Sequence, residues 1–146
     1  MSANVFERVQ ASFAQQQFMT TLGATLLSVN PGAIEIAVPF RSDLTQQNGF
    51  LHAGVITSIL DSACGYAALS VAPENFNVLS VEFKVNLLSP ATGERFVARS
   101  KVKRAGKLLT VVAADAFAIH GTEEKLIATM LATIITTHGT SKKLSS

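Results

Sequence analysis

Residues 53–72, AGVITSILDSACGYAALSVA, form a long apolar run with a single charge in it, Asp61. A run of this length and polarity must either be wrapped by the rest of the chain or cross a membrane. Spacing argues for a helix: Ile56, Ile59, Leu60, Ala63 and Ala67 recur at the i, i+3, i+4, i+7 positions of one buried stripe. Gly54, Thr57, Ser58, Asp61, Gly65 and Ala68 fall on a second stripe, small and polar, suited to close approach by another backbone or a ligand. Asp61, Thr57, Ser58, Ser62, Ser70 and two glycines make the run a poor membrane span. Desolvating an unpaired carboxylate costs on the order of several kcal/mol. Asp61 is therefore either a hydrogen-bonded core residue or a functional group, and buried acids without a task are uncommon. The first turn, at Ala53, Gly54 and Val55, presents backbone N–H groups without helical partners, a site for negative charge.

What surrounds this helix is mostly β-structure. Residues 3–17 read as a short amphipathic helix, with Phe6, Val9 and Phe13 on one face. Residues 22–29 read as a strand closed by the turn Asn30-Pro31-Gly32. Ile34, Ile36, Val38 and Phe40 alternate with Glu35 and Ala37 in a second strand. A polar loop over 41–51 leads to the long helix, and Pro73-Glu74-Asn75 ends it. Residues 78–88 alternate, which predicts one apolar face of Leu79, Val81, Phe83, Val85 and Leu87 opposite Ser80, Glu82, Lys84 and Asn86. Strands follow over 94–104, 108–120 and 126–137, separated by Ala105-Gly106 and by residues 121–124. The expected architecture is α+β: one domain over 1–146, an antiparallel sheet wrapped around one long central helix, an N-terminal helix within 1–20, and a flexible tail over 139–146.

Such a sheet has an exposed edge, and pairing edges between two copies would remove it. Composition agrees, since hydrophobic residues make up 48% and charged residues only 15%, which leaves apolar surface to bury between subunits. A net charge of +2 does not by itself indicate nucleic-acid binding. The single cysteine, Cys64, excludes an internal disulfide framework and a multi-cysteine metal site. No metal-ligand spacing occurs. The N-terminal residues lack a charged region followed by an apolar one, so a cytoplasmic protein without a membrane span is expected.

The stretch Asn48-Gly49-Phe50-Leu51-His52-Ala53-Gly54, with an acid nine positions after the histidine, resembles the hotdog-fold acyl-CoA thioesterases, in particular the PaaI-like branch named after the phenylacetate-pathway thioesterase. The similarity continues through Ser80-Val81-Glu82-Phe83, Leu88-Ser89-Pro90, Gly93-Glu94 and the basic turn Lys103-Arg104-Ala105-Gly106-Lys107, covering roughly residues 22–137. One departure is Ala53, where the family pattern has the first glycine of a pair. The family's oxyanion contact at that position is a backbone N–H, which alanine also carries.

The resemblance implies hydrolysis of an acyl-CoA thioester by a homodimer or homotetramer, with coenzyme A part of the substrate and no separate cofactor. It implies that Asp61 serves as general base for water or as direct nucleophile, and that Ala53, with Gly54, donates N–H groups to the oxyanion. Gln46 would position the water or the acyl group, and Ser80 would orient the attacking water. Asn48, Arg104 and Lys107 would bind substrate, the two cations through CoA phosphates, although a solvated strand face is an equal reading of that basic set. His52 is a further catalytic candidate, with a structural role in ordering its loop preferred. Cys64 lies three residues from Asp61, whose charge would raise the thiol pKa, so packing is its expected role. Asp61 sits eight residues, about 12 Å, along the helix from Ala53. The expected site therefore joins Asp61 of one subunit to Ala53 of another. The alternative is a non-catalytic acyl-CoA-binding module of the same fold.

Overall fold

The computed structural model describes residues 3–139. In chain order these form α1 (Ala3–Gln15), α2 (Gln17–Leu22), β1 (Thr25–Asn30), β2 (Ala33–Pro39), a short 3₁₀ turn (Ser42–Leu44), α3 (Ala53–Val71), β3 (Phe76–Leu87), β4 (Arg95–Ala105), β5 (Leu109–His120) and β6 (Glu123–His138). The six strands make one antiparallel sheet in the order β1-β2-β4-β5-β6-β3. The expected tail lies mostly outside the described residues.

The sheet wraps α3, which contacts every strand from β2 to β6. Ile56, Ile59, Leu60, Ala63 and Ala67, the stripe read from the sequence, are all buried. They pack against Ile34, Ile36, Phe96, Val112, Met130 and Ile134 on the concave face of the sheet. Truncating one such isoleucine to alanine typically costs about 2–5 kcal/mol. The helix is the one element among the described residues long and apolar enough to cross a bilayer, and most of it is buried against the sheet. Two serines pin it to its wrapping. Ser100 on β4 donates to the Ala63 carbonyl at 2.7 Å, and Ser70 accepts from the Gly32 N–H at 2.8 Å. Both serines are buried, and both are satisfied by these bonds.

The N-terminal segment differs from a single helix over 3–17. It breaks at Gln16, whose backbone is extended (φ −78°, ψ 98°), and a second short helix carries the chain on to Leu22. Gly23, at φ +71°, ends that helix: its N–H reaches the Thr20 carbonyl while the Ala24 N–H reaches Met19. Residue 22 thus closes a helix, and β1 starts at Thr25. Arg8 ties α1 to the far end of α3, donating to the carbonyls of Ala72 at 2.9 Å, Pro73 at 3.0 Å and Phe76.

The single apolar face expected over 78–88 does not form. A β-bulge between Ser80 and Glu82 inserts one extra residue opposite β6, and an inserted residue reverses which side chains face the core. Val78 and Val85 pack toward the core, whereas Leu79 and Val81 are more than half exposed. Because β3 ends the sheet, its outer edge has no strand partner among the described residues, and the strand carries exposed Leu79, Val81, Phe83 and Leu87.

Candidate active site

Two clefts open along α3 and share no lining residue. The first, about 370 Å³, lies at the helix start, among Gln46, Phe50, Ala53, Ile56, Leu87 and Pro90. The second, about 260 Å³, lies near the middle of the helix, among Gln16, Asp61, Ser62, Tyr66, Asn77 and Ser80.

At the helix start, His52 is the N-cap. Its Nδ1 accepts the Gly54 N–H at 2.7 Å, and its carbonyl accepts from Val55 at 2.9 Å. His52 thus takes the capping role usual for serine or aspartate, in line with the structural reading. The same bond occupies the Gly54 N–H, so Gly54 is not a free donor here. The Ala53 N–H, at the first helical position, has no partner within the helix, and Ala53 lines the first cleft.

The loop before the helix is built to present Gln46. Gly49, at φ +86°, makes the reversal that lets its N–H reach the Gln46 carbonyl at 3.1 Å. The Gln46 N–H donates to Phe50 at 2.9 Å, and the bridge between Thr45 and Leu51 closes the loop. The Asn48 N–H donates to Gln46 Oε1, so the Gln46 amide is oriented with its NH₂ as the group left to donate. Asn48 is exposed, and its bond to Gln46 is made by its backbone N–H.

In the second cleft, Ser80 Oγ donates to Asp61 Oδ1 at 2.7 Å. The bond joins the edge strand to the core helix, and the bulge just after Ser80 leaves that side chain facing α3. Asp61 is half-buried, one oxygen held by Ser80. Cys64 is fully buried one turn away. Its thiol is pushed up to about 12, first by burial and then by the charge of Asp61. A thiol held protonated in this way is not a nucleophile at neutral pH.

Arg104 and Lys107 line neither cleft. A bulge between Val102 and Arg104 pairs Arg104 with Val111, which lies on the convex face of the sheet, away from α3. Lys107 sits in the β4–β5 hairpin and is exposed.

Sequence reasoning missed the far wall of the second cleft. Gln16, at the α1–α2 break, donates through Nε2 to the Tyr66 hydroxyl at 2.8 Å and accepts from Ser62 Oγ at 3.1 Å. Tyr66 also packs on Phe13 of α1, with ring centroids 5.9 Å apart. The one available signal was Tyr66 itself, the chain's only tyrosine, on a helix otherwise made of small and aliphatic residues.

A model of the thioesterase superfamily matches residues 48–125, the span from the Gln46 loop to the start of β6. A crystal structure of a thioesterase-family protein from Silicibacter pomeroyi is 50% identical and superposes with a TM-score of 0.90 over 92% of this chain and 99% of that one. The medium/long-chain acyl-CoA thioesterase YigI of Escherichia coli is 31% identical over 96 residues, 57% of this chain and 60% of YigI. The PaaI protein of the Escherichia coli phenylacetic acid degradation operon shares the fold, with a TM-score of 0.85 at 18% identity over 95% of this chain and 97% of that one.

Proposed function

The chain belongs to the thioesterase superfamily and has its hotdog fold, and from that premise we propose that it hydrolyses an acyl-CoA thioester to the free acid and CoA. The observation that carries this reading is the 2.7 Å bond from Ser80 to Asp61. It fixes a half-buried carboxylate at the edge of a cleft, with one oxygen left to act.

In this account Asp61 either takes a proton from water as the oxygen attacks the thioester carbon, or attacks that carbon itself to give an anhydride that water then opens. In the first route the proton taken up by Asp61 passes to the departing sulfur and CoA leaves as the thiol; in the second CoA leaves as the thiolate and takes its proton from solvent, and water opening the anhydride restores Asp61. The Ala53 N–H and the Gln46 amide donate to the oxyanion. Gly54 acts indirectly, through the His52 cap. Arg104 and Lys107 are left as candidate phosphate contacts of a neighbouring copy, since neither faces a cleft of its own chain.

Ala53 and Asp61 of one chain cannot meet, because about 12 Å of helix separates them. The free edge of β3 supplies a way to join them. Ser80, near one end of β3, stands beside Asp61, while Leu87, at the other end, lines the cleft of Ala53. Antiparallel pairing of two β3 edges about a two-fold axis near Phe83 brings the Ser80 end of each copy to the Leu87 end of the other. Each Asp61 then meets the Ala53 cleft of a second copy, and the exposed apolar edge is covered.

Release of free thiol from short-chain, medium-chain, long-chain and aryl acyl-CoAs, with wild type beside Asp61→Ala, tests the reading. Turnover reduced at least about a hundredfold in the variant is expected for loss of a general base. Saturable acyl-CoA binding without thiol release from any member would instead mark a non-catalytic binding module.

A further inference from the structure

The end of the sheet that holds the β4–β5 hairpin is basic and apolar at once. Between Glu94 and Asp115 the sequence carries six cations and no acid. Arg99 is neutralised by Glu35 and Glu124. Lys101, Lys103, Arg104 and Lys107, toward the hairpin, are exposed and form no ion pair or side-chain hydrogen bond among the described residues.

Beside these cations runs an apolar row. Leu109 stands opposite Ile135, and Ile135 opposite Leu79. Residues opposite one another share a face of the sheet. Their neighbours Thr110 and Ile134 are buried toward α3, so the row lies on the convex face and crosses three strands at about 4.8 Å per step. Leu79 is 63% exposed, Leu109 44%, and Leu108 in the hairpin 58%. In the next row Arg104 stands opposite Val111, and Val111 opposite Thr133. Glu82, the one carboxylate in these two rows, sits three strands from Arg104 and accepts from the Thr133 hydroxyl.

Exposed apolar residues rimmed by charge mark an interaction surface, and the charge selects the partner. A two-fold contact of this patch with its own copy would set unpaired cations against unpaired cations. A nucleic acid would neutralise the cations but leave the leucines wet, since its contact surface is polar. A bilayer with anionic headgroups meets both needs, phosphate for the cations and acyl chains for the leucines. Edge-to-edge pairing of β3 adds strands in the plane of the sheet and leaves this face in solvent.

We propose that this end of the convex face is a peripheral docking surface for an anionic phospholipid bilayer, with Lys103, Arg104 and Lys107 at the lipid phosphates and Leu79, Leu108 and Leu109 against the acyl region. It is an attachment to the membrane surface, not a span, and it does not depend on the reaction at Asp61.

Arg104 and Lys107 are also candidate contacts for CoA phosphates, whereas Lys103 and Leu108 are not, so the test falls on the latter two. The full chain is sedimented with vesicles of phosphatidylcholine alone and of phosphatidylcholine mixed equally with phosphatidylglycerol. Wild type should bind the anionic vesicles, leave the neutral ones, and be released in about 1 M salt, where the Debye length falls to about 3 Å. Lys103→Glu should weaken binding at least about tenfold. Leu108→Ser should weaken it about tenfold. Both side chains are exposed, so Tm should not move. No binding of wild type to anionic vesicles, or equal binding to both kinds, overturns the proposal without any variant. Leu108→Ser binding as wild type does would reduce the attraction to bare charge and overturn it as well. A fall in the molecular mass of Leu108→Ser without vesicles, read by analytical ultracentrifugation, would make the face a contact between copies instead.

Discussion

Ala53 and Asp61 lie on the same helix, about 12 Å apart along its axis, and line different clefts. A carbonyl bonded to the Ala53 N–H is out of reach of the Asp61 carboxylate of the same chain. Under the proposed reaction the two clefts are half-sites, and the outer β3 edge lies between them.

Ser80 holds Asp61 through one oxygen. Ser80→Ala should lower kcat by about tenfold with a smaller change in KM, the loss expected for one hydrogen bond to a charged group. Ser80→Thr keeps the hydroxyl and should recover most of the rate. Steady-state kinetics on one acyl-CoA separates the two variants.

His52 caps α3 by accepting the Gly54 N–H. His52→Ala should destabilise the fold by about 1 kcal/mol, the usual value of an N-cap. His52→Asn offers a capping oxygen and should retain both stability and turnover. An asparagine variant that folds normally but has lost its activity would make His52 a catalytic base instead.

Cys64 is buried, and its thiol is pushed up to about 12 from an ordinary value of 9.0. Between those two values the unfolded chain has lost this proton and the folded chain keeps it. The contribution is therefore fully present below pH 9 and is lost as pH rises toward 12, by up to about 1.4 kcal/mol per pH unit. Urea unfolding from pH 8 to 10.5 should show wild type losing stability faster than Cys64→Ala. Parallel pH curves would contradict the assignment.

Arg8 donates to three carbonyls around the C-terminal end of α3, where the helix dipole is negative. Arg8→Met should cost about 1–2 kcal/mol, roughly 2–8 °C in Tm for a chain of this size. It should also loosen α1, so hydrogen exchange should rise in α1 more than in the strands.

The sequence made the helix and its two faces legible because both follow from a 3.6-residue period. That period alone put Asp61 on the small polar stripe and Ile59 on the buried one. Strand positions were also readable, since the hairpin turns are marked by glycines. What escaped depended on single inserted residues or distant contacts. The bulge after Ser80 splits the apolar alternation of β3, and the bulge before Arg104 turns that arginine onto the convex face. Neither bulge leaves a local signature. The contact between Gln16 and Tyr66 spans 50 residues, and nothing near either one announces the other. His52 was legible as a loop-ordering residue. That its partner is the Gly54 N–H, one of the expected oxyanion donors, required coordinates.

The most direct test of the composite site mixes two variants that should each be inactive, Asp61→Ala and Ala53→Pro. Proline suits the first helical position and removes the N–H, and the extended backbone of His52 (φ −61°, ψ 136°) accepts a following proline. If each site takes Asp61 from one copy and Ala53 from another, co-expressed chains that pair at random should regain about a quarter of wild-type turnover. Half of the dimers would be mixed, and each mixed dimer would hold one intact site of two. Mixed chains with no more activity than either variant alone would mean that Asp61 and Ala53 do not act together across two copies.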